Sequence, residues 1–160
     1  MPIDLSTVHA APPDRVHAVL TDEAFLRETT AALGSRLEEA TADGTTTRVR
    51  MVAPTAGIPA MFARFVAPEI PVTDTRTWRA DGDGWHCDLD VRAEVFGRKV
   101  EVRGVRRLEP DGAGTRSVVT AEARVDAPLV GRQAEGAVRQ LVEGVLRREA
   151  ELLDARLAGG

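Results

Sequence analysis

The strongest constraint on the fold is the stretch from Val130 to Gly159-Gly160, the longest run in the chain with an unbroken helical period. At about 100° per residue, Ala134, Val138, Leu141, Val142, Val145, Leu152 and Leu153 fall in one apolar stripe. Gly136, Gln140, Glu143, Arg147, Glu151 and Asp154 occupy the opposite face. The pattern predicts one amphipathic helix over about residues 130–157. Such a helix must lay its stripe against something large and apolar.

The segment before it supplies the surface. Ile3–His9 alternates with period two and reads as a strand, and Pro12-Pro13 then opens a short helix carrying Val16, Val19 and Leu20. Asp22 is placed to cap a second helix with Phe25, Leu26, Thr29 and Leu33, closed by Gly34. From Ser35 to Val125 the chain is strand and turn. Thr45–Ala53, Val72–Ala80, Trp85–Val95, Lys99–Leu108 and Thr115–Val125 are the clearest strands. Asp81-Gly82-Asp83-Gly84, Phe96-Gly97 and Asp111-Gly112-Ala113-Gly114 separate the later ones and predict consecutive antiparallel hairpins. Ile58–Val66, with Met61, Phe62, Phe65 and Val66, reads as one or two helical turns inserted between strands. The expectation is an α+β fold: an antiparallel sheet of six or seven strands wrapped around the C-terminal helix, with a cavity between them. The whole chain, 1–160, is read as one domain.

Composition narrows the function classes. With 160 residues, 43% hydrophobic and 29% charged, the chain has enough apolar surface for its own core. A net charge of −4 gives it no electrostatic draw toward phosphate backbones, so no nucleic-acid partner is expected. No apolar run has the 18 or so residues of a membrane helix, so no integral membrane segment is expected. The start, Met1-Pro2-Ile3-Asp4, lacks the basic and apolar regions of a signal peptide. One cysteine, Cys87, excludes an internal disulfide and fits a reducing compartment, which points to the cytoplasm.

Catalytic motifs are sparse. His9, His17, His86 and Cys87 have no metal-ligand spacing, so neither a metal nor another cofactor is expected. Ser6, Ser35 and Ser117 sit in no nucleophile-elbow context, and no glycine-rich phosphate loop is present. Cys87 shares the apolar face of its strand with Trp85, Leu89 and Val91, the usual place of an inert buried thiol.

Charged groups on inward faces are more informative. Val72, Asp74, Arg76 and Trp78 share one face of a strand; Arg106 shares another with Val100 and Val102; Glu149 falls in the centre of the helical stripe. A buried unpaired charge costs several kcal/mol, roughly, so these groups must be paired, hydrated or facing a ligand. Arg76 or Arg106 is the sheet arginine expected to partner Glu149. The bland reading is an ion pair tying helix to sheet; the sharper one is an anchor for the polar end of a ligand in a greasy cavity. The aromatics Phe62, Phe65, Trp78, Trp85 and Phe96 cluster in the middle of the chain and are candidates to line that cavity. Leu89, Val102, Val138, Leu141, Val142 and Val145 complete the candidate lining, and Phe62 and Phe65 would act as a lid.

Ile58-Pro59 leading into Phe62-Ala63-Arg64-Phe65-Val66, the strand Val72–Trp78 with its terminal tryptophan, and Val125-Asp126-Ala127-Pro128-Leu129-Val130-Gly131 before a helix with an early Glu135 carry a resemblance. The element order resembles the helix-grip arrangement of the START-like superfamily, which includes polyketide cyclases, lipid-transfer domains and pollen-allergen relatives. More narrowly, the chain resembles an uncharacterised, mainly actinobacterial family called domain of unknown function 2505. The superfamily resemblance implies a cavity for a small apolar molecule such as a lipid, sterol or polyketide. Two alternatives stay open: a cyclase or dehydratase using Glu149, Asp74 or Arg76, and a structural or regulatory module whose cavity is filled by its own side chains.

Overall fold

A computed structural model describes residues 2–54, 69–95 and 97–159. Strand β1 (Pro2–His9) is followed by α1 (Pro13–Leu20) and α2 (Glu23–Ala32), then by β2 (Arg36–Ala42), β3 (Thr46–Ala53), β4 (Ile70–Asp81), β5 (Gly84–Val95), β6 (Arg98–Asp111) and β7 (Gly114–Val125). Helix α3 (Gly131–Gly159) is the last described element. The seven strands form one sheet in the order β1-β7-β6-β5-β4-β3-β2, with every neighbouring pair antiparallel. Among the described strands only β1 is out of sequence, returning to pair with β7 and placing the first and last strands side by side.

Local sequence explains most of these elements. Pro13 opens α1, where a missing N–H goes unnoticed. Asp22 holds the N-cap position of α2 but makes no side-chain cap bond; its carboxylate accepts from Arg156 of α3 at 3.4 Å instead. Arg156 also pairs with Glu28, so one arginine clamps α2 to α3. Strand β2, unmarked by clean alternation, carries a register shift between Leu37 and Glu39. It is held by Ala40, which joins Leu26 and Val49 in a small apolar cluster under α2.

The packed core lies toward one end of the sheet. Phe25, Val16 and Leu20 of the two short helices meet Ile3, Leu5, Trp78, Cys87 and Leu108 of the sheet and Leu153 and Leu157 of α3. His9 Nδ1 donates to Asp154 Oδ1 at 2.6 Å, and Arg15 donates to the Leu157 carbonyl at 2.8 Å. Asp154, predicted to face solvent, is half exposed yet reaches across to the buried imidazole.

Gly104, in the interior of β6, shows how tightly the sheet is folded. A Cβ there would stand 2.2 Å from the Thr120 carbonyl oxygen and 2.5 Å from Ala121 Cα, both in neighbouring strand β7. No side-chain rotation relieves a clash with backbone. Gly144 in α3 is the opposite case, since a Cβ there meets nothing within 4 Å. Gly104→Ala should therefore destabilise the fold by about 1–3 kcal/mol or more. Gly144→Ala should stabilise it by roughly 0.5–1 kcal/mol, the helical penalty of glycine. Urea unfolding of the two variants checks both signs.

Candidate functional site

Inward-facing residues of the sheet come in successive rows across β4, β5 and β6. Val72 stands opposite Ala93, Asp74 opposite Val91, Arg76 opposite Leu89, and Trp78 opposite Cys87. Ala93 faces Val100, Val91 faces Val102, and Cys87 faces Arg106. The rows from Trp78 downward belong to the packed core. Those from Arg76 upward border a cavity of about 920 Å³ between the sheet and the N-terminal half of α3.

Among the described residues, aliphatic side chains dominate its wall. Val72, Leu89, Val91 and Val102 line it from the sheet, and Val138, Leu141, Val142 and Val145 from the helix. Leu141 and Val145 remain 39% and 38% exposed and belong to the cavity wall, not to the packed core. The helix buries Leu146, Glu149, Leu153 and Leu157 instead. Asp74 and Arg76 are the polar groups at the inner end, while Arg98 and Ser35 also line the cavity.

The inner end is an ion-pair cluster. Glu149, 7% exposed, accepts from Arg76 Nη1 through Oε2 at 2.9 Å and from Arg106 Nη2 through Oε1 at 2.7 Å. Arg76 grips Asp74 with its other edge, Nε to Oδ1 at 3.2 Å and Nη2 to Oδ2 at 3.1 Å. Burial by itself would push the Glu149 carboxyl up; the guanidiniums of Arg106 and Arg76 overrule it and hold it at about 2. Burial likewise works against the Arg76 charge, but Asp74 and Glu149 keep it firmly protonated. Arg106 Nε and Nη1 are buried with no hydrogen-bond partner among the described residues. Burial pushes the Cys87 thiol up to about 12 despite both arginines, so it is a neutral packing group.

The candidate residues thus divide. Asp74, Arg76, Leu89, Val102, Val138, Leu141, Val142 and Val145 line the cavity. Arg106 and Glu149 sit beneath it as the cluster that closes its end. Trp78 and Trp85 are not among the lining residues, a correction to the sequence reading. Their strands do face inward at these positions, but Trp78 shares the row of Arg106 and Trp85 the row of Leu108, where the sheet belongs to the packed core. There His17 of α1 stacks flat on Trp85, with ring centroids 3.6 Å apart, and meets Trp78 edge-on at 5.2 Å. Trp85 Nε1 donates to Asp14 at 2.9 Å. Phe62, Phe65 and Phe96 lie outside the described residues. Val100, Val119, Ala121 and Leu146 also line the cavity, and the sequence reading omitted them. Val100 shares the strand face of Val102, and that two-residue period was the signal to follow.

A family model described as "Protein of unknown function (DUF2505)" matches residues 4–157. No functionally curated protein matches the chain significantly. Among solved structures, the protein TTHA0849 of Thermus thermophilus is similar at 20% identity and a TM-score of 0.61, covering 98% of this chain and 99% of that one. The ZhuI aromatase/cyclase of a Streptomyces species is similar at 17% identity and 0.62, covering 98% and 92%. A STAR-related lipid transfer protein fragment of Xanthomonas axonopodis is similar at 22% identity and 0.61, covering 94% and 84%. These likenesses show the helix-grip α+β fold expected from the sequence.

Removing the centre of the cluster tests its grip. Glu149→Ala leaves two buried arginines facing each other and should destabilise by about 3–5 kcal/mol in urea unfolding. A loss below about 0.5 kcal/mol would show that the pairs hold nothing. The Glu149 carboxyl titrates near 4.5 when free and near 2 when folded. Its share of stability is therefore complete above about pH 4.5 and disappears as pH falls toward 2. The Glu149→Ala variant should lack that acid limb.

Proposed function

The chain belongs to the DUF2505 family of proteins of unknown function, and from its cavity we propose that it binds a small apolar molecule between the sheet and helix α3. One observation carries this reading: a cavity of about 920 Å³ whose described lining is mostly aliphatic, with polar groups at only a few of the described positions. That volume lies at the upper end of ordinary ligand pockets, which run about 300–1,000 Å³. Apolar burial at roughly 25 cal/mol per Å² would supply most of the affinity. The lipid-transfer protein and the aromatase/cyclase that share the fold suggest the classes to try: lipids, sterols and polyketide-like compounds. The proposed contacts are Asp74, Arg76, Leu89, Val102, Val138, Leu141, Val142 and Val145, with Glu149 and Arg106 supporting Arg76 from below.

The chemistry of the cluster favours binding over catalysis. A general acid or base works best near the operating pH and within reach of substrate. Glu149 is held ionised with both oxygens engaged, and it does not line the cavity. Among the described residues, no helix is long and apolar enough to cross a membrane. We read the chain as one START-like domain acting in a reducing compartment such as the cytoplasm, where its single buried thiol meets no oxidant.

Titration of delipidated protein tests the reading. Fatty acids, sterols and aromatic polyketides should displace an environment-sensitive dye, with saturation for at least one class. Leu141→Asp, which places a carboxylate in the aliphatic wall, should weaken that binding at least about tenfold. Gln140→Asp, which adds the same side chain at a place outside the lining, should leave it unchanged. Dye that never saturates, or equal affinities in the two variants, would overturn the proposal. Intrinsic tryptophan emission is a poor reporter here, since neither indole lines the cavity.

A further inference from the structure

We infer that the inner end of the cavity selects a neutral hydrogen-bonding head group, a hydroxyl on an aliphatic body, and discriminates against an anion there; the inference rests on the cavity being a ligand site. It follows from a count of charges and of hydrogen-bonding positions.

Four charged groups make the inner end: Arg76 and Arg106 against Asp74 and Glu149. The sum is zero. Arg106 is matched by Glu149, and Arg76 lies between Glu149 and Asp74, so neither positive charge is left over for an incoming carboxylate or phosphate. Such an anion would meet the Asp74 carboxylate at the cavity wall while losing its own hydration. A cation fares no better, because both carboxylates are already satisfied by arginine.

The same groups keep unused hydrogen-bonding capacity. A carboxylate offers about four lone-pair positions, and Arg76 takes one on each Asp74 oxygen. A guanidinium has about five N–H groups, and Arg76 commits Nε, Nη1 and Nη2 once each to Asp74 and Glu149. Asp74 and Arg76 are also the two cluster members that line the cavity. An acceptor and a donor therefore sit side by side on its inner wall. A hydroxyl uses both, donating to Asp74 and accepting from Arg76, and brings no charge. An ether can only accept. Around them the described lining is aliphatic, with no aromatic side chain to favour a flat stacked body.

Three probes of one chain length separate these demands: oleyl alcohol, oleyl methyl ether and oleate, each displacing a neutral dye from the delipidated full chain. The alcohol should bind about tenfold tighter than the ether, although the ether is the more apolar, because only the alcohol satisfies the carboxylate. Asp74→Asn leaves the cluster with one positive charge in excess. It should move the alcohol-to-oleate affinity ratio at least about tenfold toward oleate. An ether that binds as well as the alcohol overturns the inference, as does an unchanged ratio in Asp74→Asn; in both cases displacement still occurs and the binding proposal stands. If none of the three probes, nor any sterol or polyketide, displaces the dye, the binding proposal fails and takes this inference with it. Should Asp74→Asn not fold, the alcohol-to-ether comparison on the unaltered chain decides alone.

Discussion

Glu149, caught between Arg76 and Arg106, divides the interior of this protein into two regions. Below it, toward the C-terminus of α3, Leu153 and Leu157 pack on Phe25, Leu108 and Trp78 with little exposure. Above it, Val138, Leu141 and Val145 of the same helix line the cavity. A buried ion pair of this kind adds little net stability compared with apolar residues of the same volume, yet breaking it is expensive. Its value lies in position. Two arginines on different strands and one carboxylate on the helix fix how far α3 can slide or rotate over the sheet.

That arrangement accounts for the uneven burial of the helical stripe. A helix whose whole apolar face packed on the sheet would bury Leu141 and Val145 as deeply as Leu153. Here the guanidiniums of Arg76 and Arg106 reach from β4 and β6 to Glu149 and tie the helix to the sheet at that point. On the core side, α1 and α2 fill the gap with Val16, Leu20 and Phe25. On the other side the described residues provide no such filling. The cavity lies on that side, with its inner end at the ion-pair cluster that anchors the helix.

Periodicity in the sequence reports which face a residue is on, and on that question it was accurate. The inward set of β4 (Val72, Asp74, Arg76, Trp78) is inward in the structure, and Glu149 meets both of the arginines that the sequence offered as alternative partners. What periodicity lacks is depth along the strand. Trp78 and Val72 share a face, yet one is sealed in the core and the other lines the cavity, three rows away. Only the position of the cluster separates them, and that depends on pairing register between distant strands. Trp85 was misplaced for the same reason. Asp154 shows a second limit: a residue on the polar side of a helix can still reach a buried imidazole when the neighbouring strand carries it close. Strand β2 was hidden because its register shift breaks the alternation that would have announced it.

The cluster also gives physical content to the cavity's two ends. Near the mouth, Arg98 is exposed, so its charge is already hydrated and can meet a polar group at little cost. At the inner end, Asp74 and Arg76 are mostly withdrawn from water and already neutralise each other, with Glu149 and Arg106 completing the balance. A mobile charge is tolerated at the first place and penalised at the second, since the low-dielectric interior magnifies any imbalance. An amphiphile entering this cavity therefore meets two different electrostatic environments along one aliphatic wall. On the binding reading proposed above, the neutrality of the ion-pair cluster would decide which end of the molecule goes in first, because a charge at the inner end would unbalance Asp74, Arg76, Arg106 and Glu149.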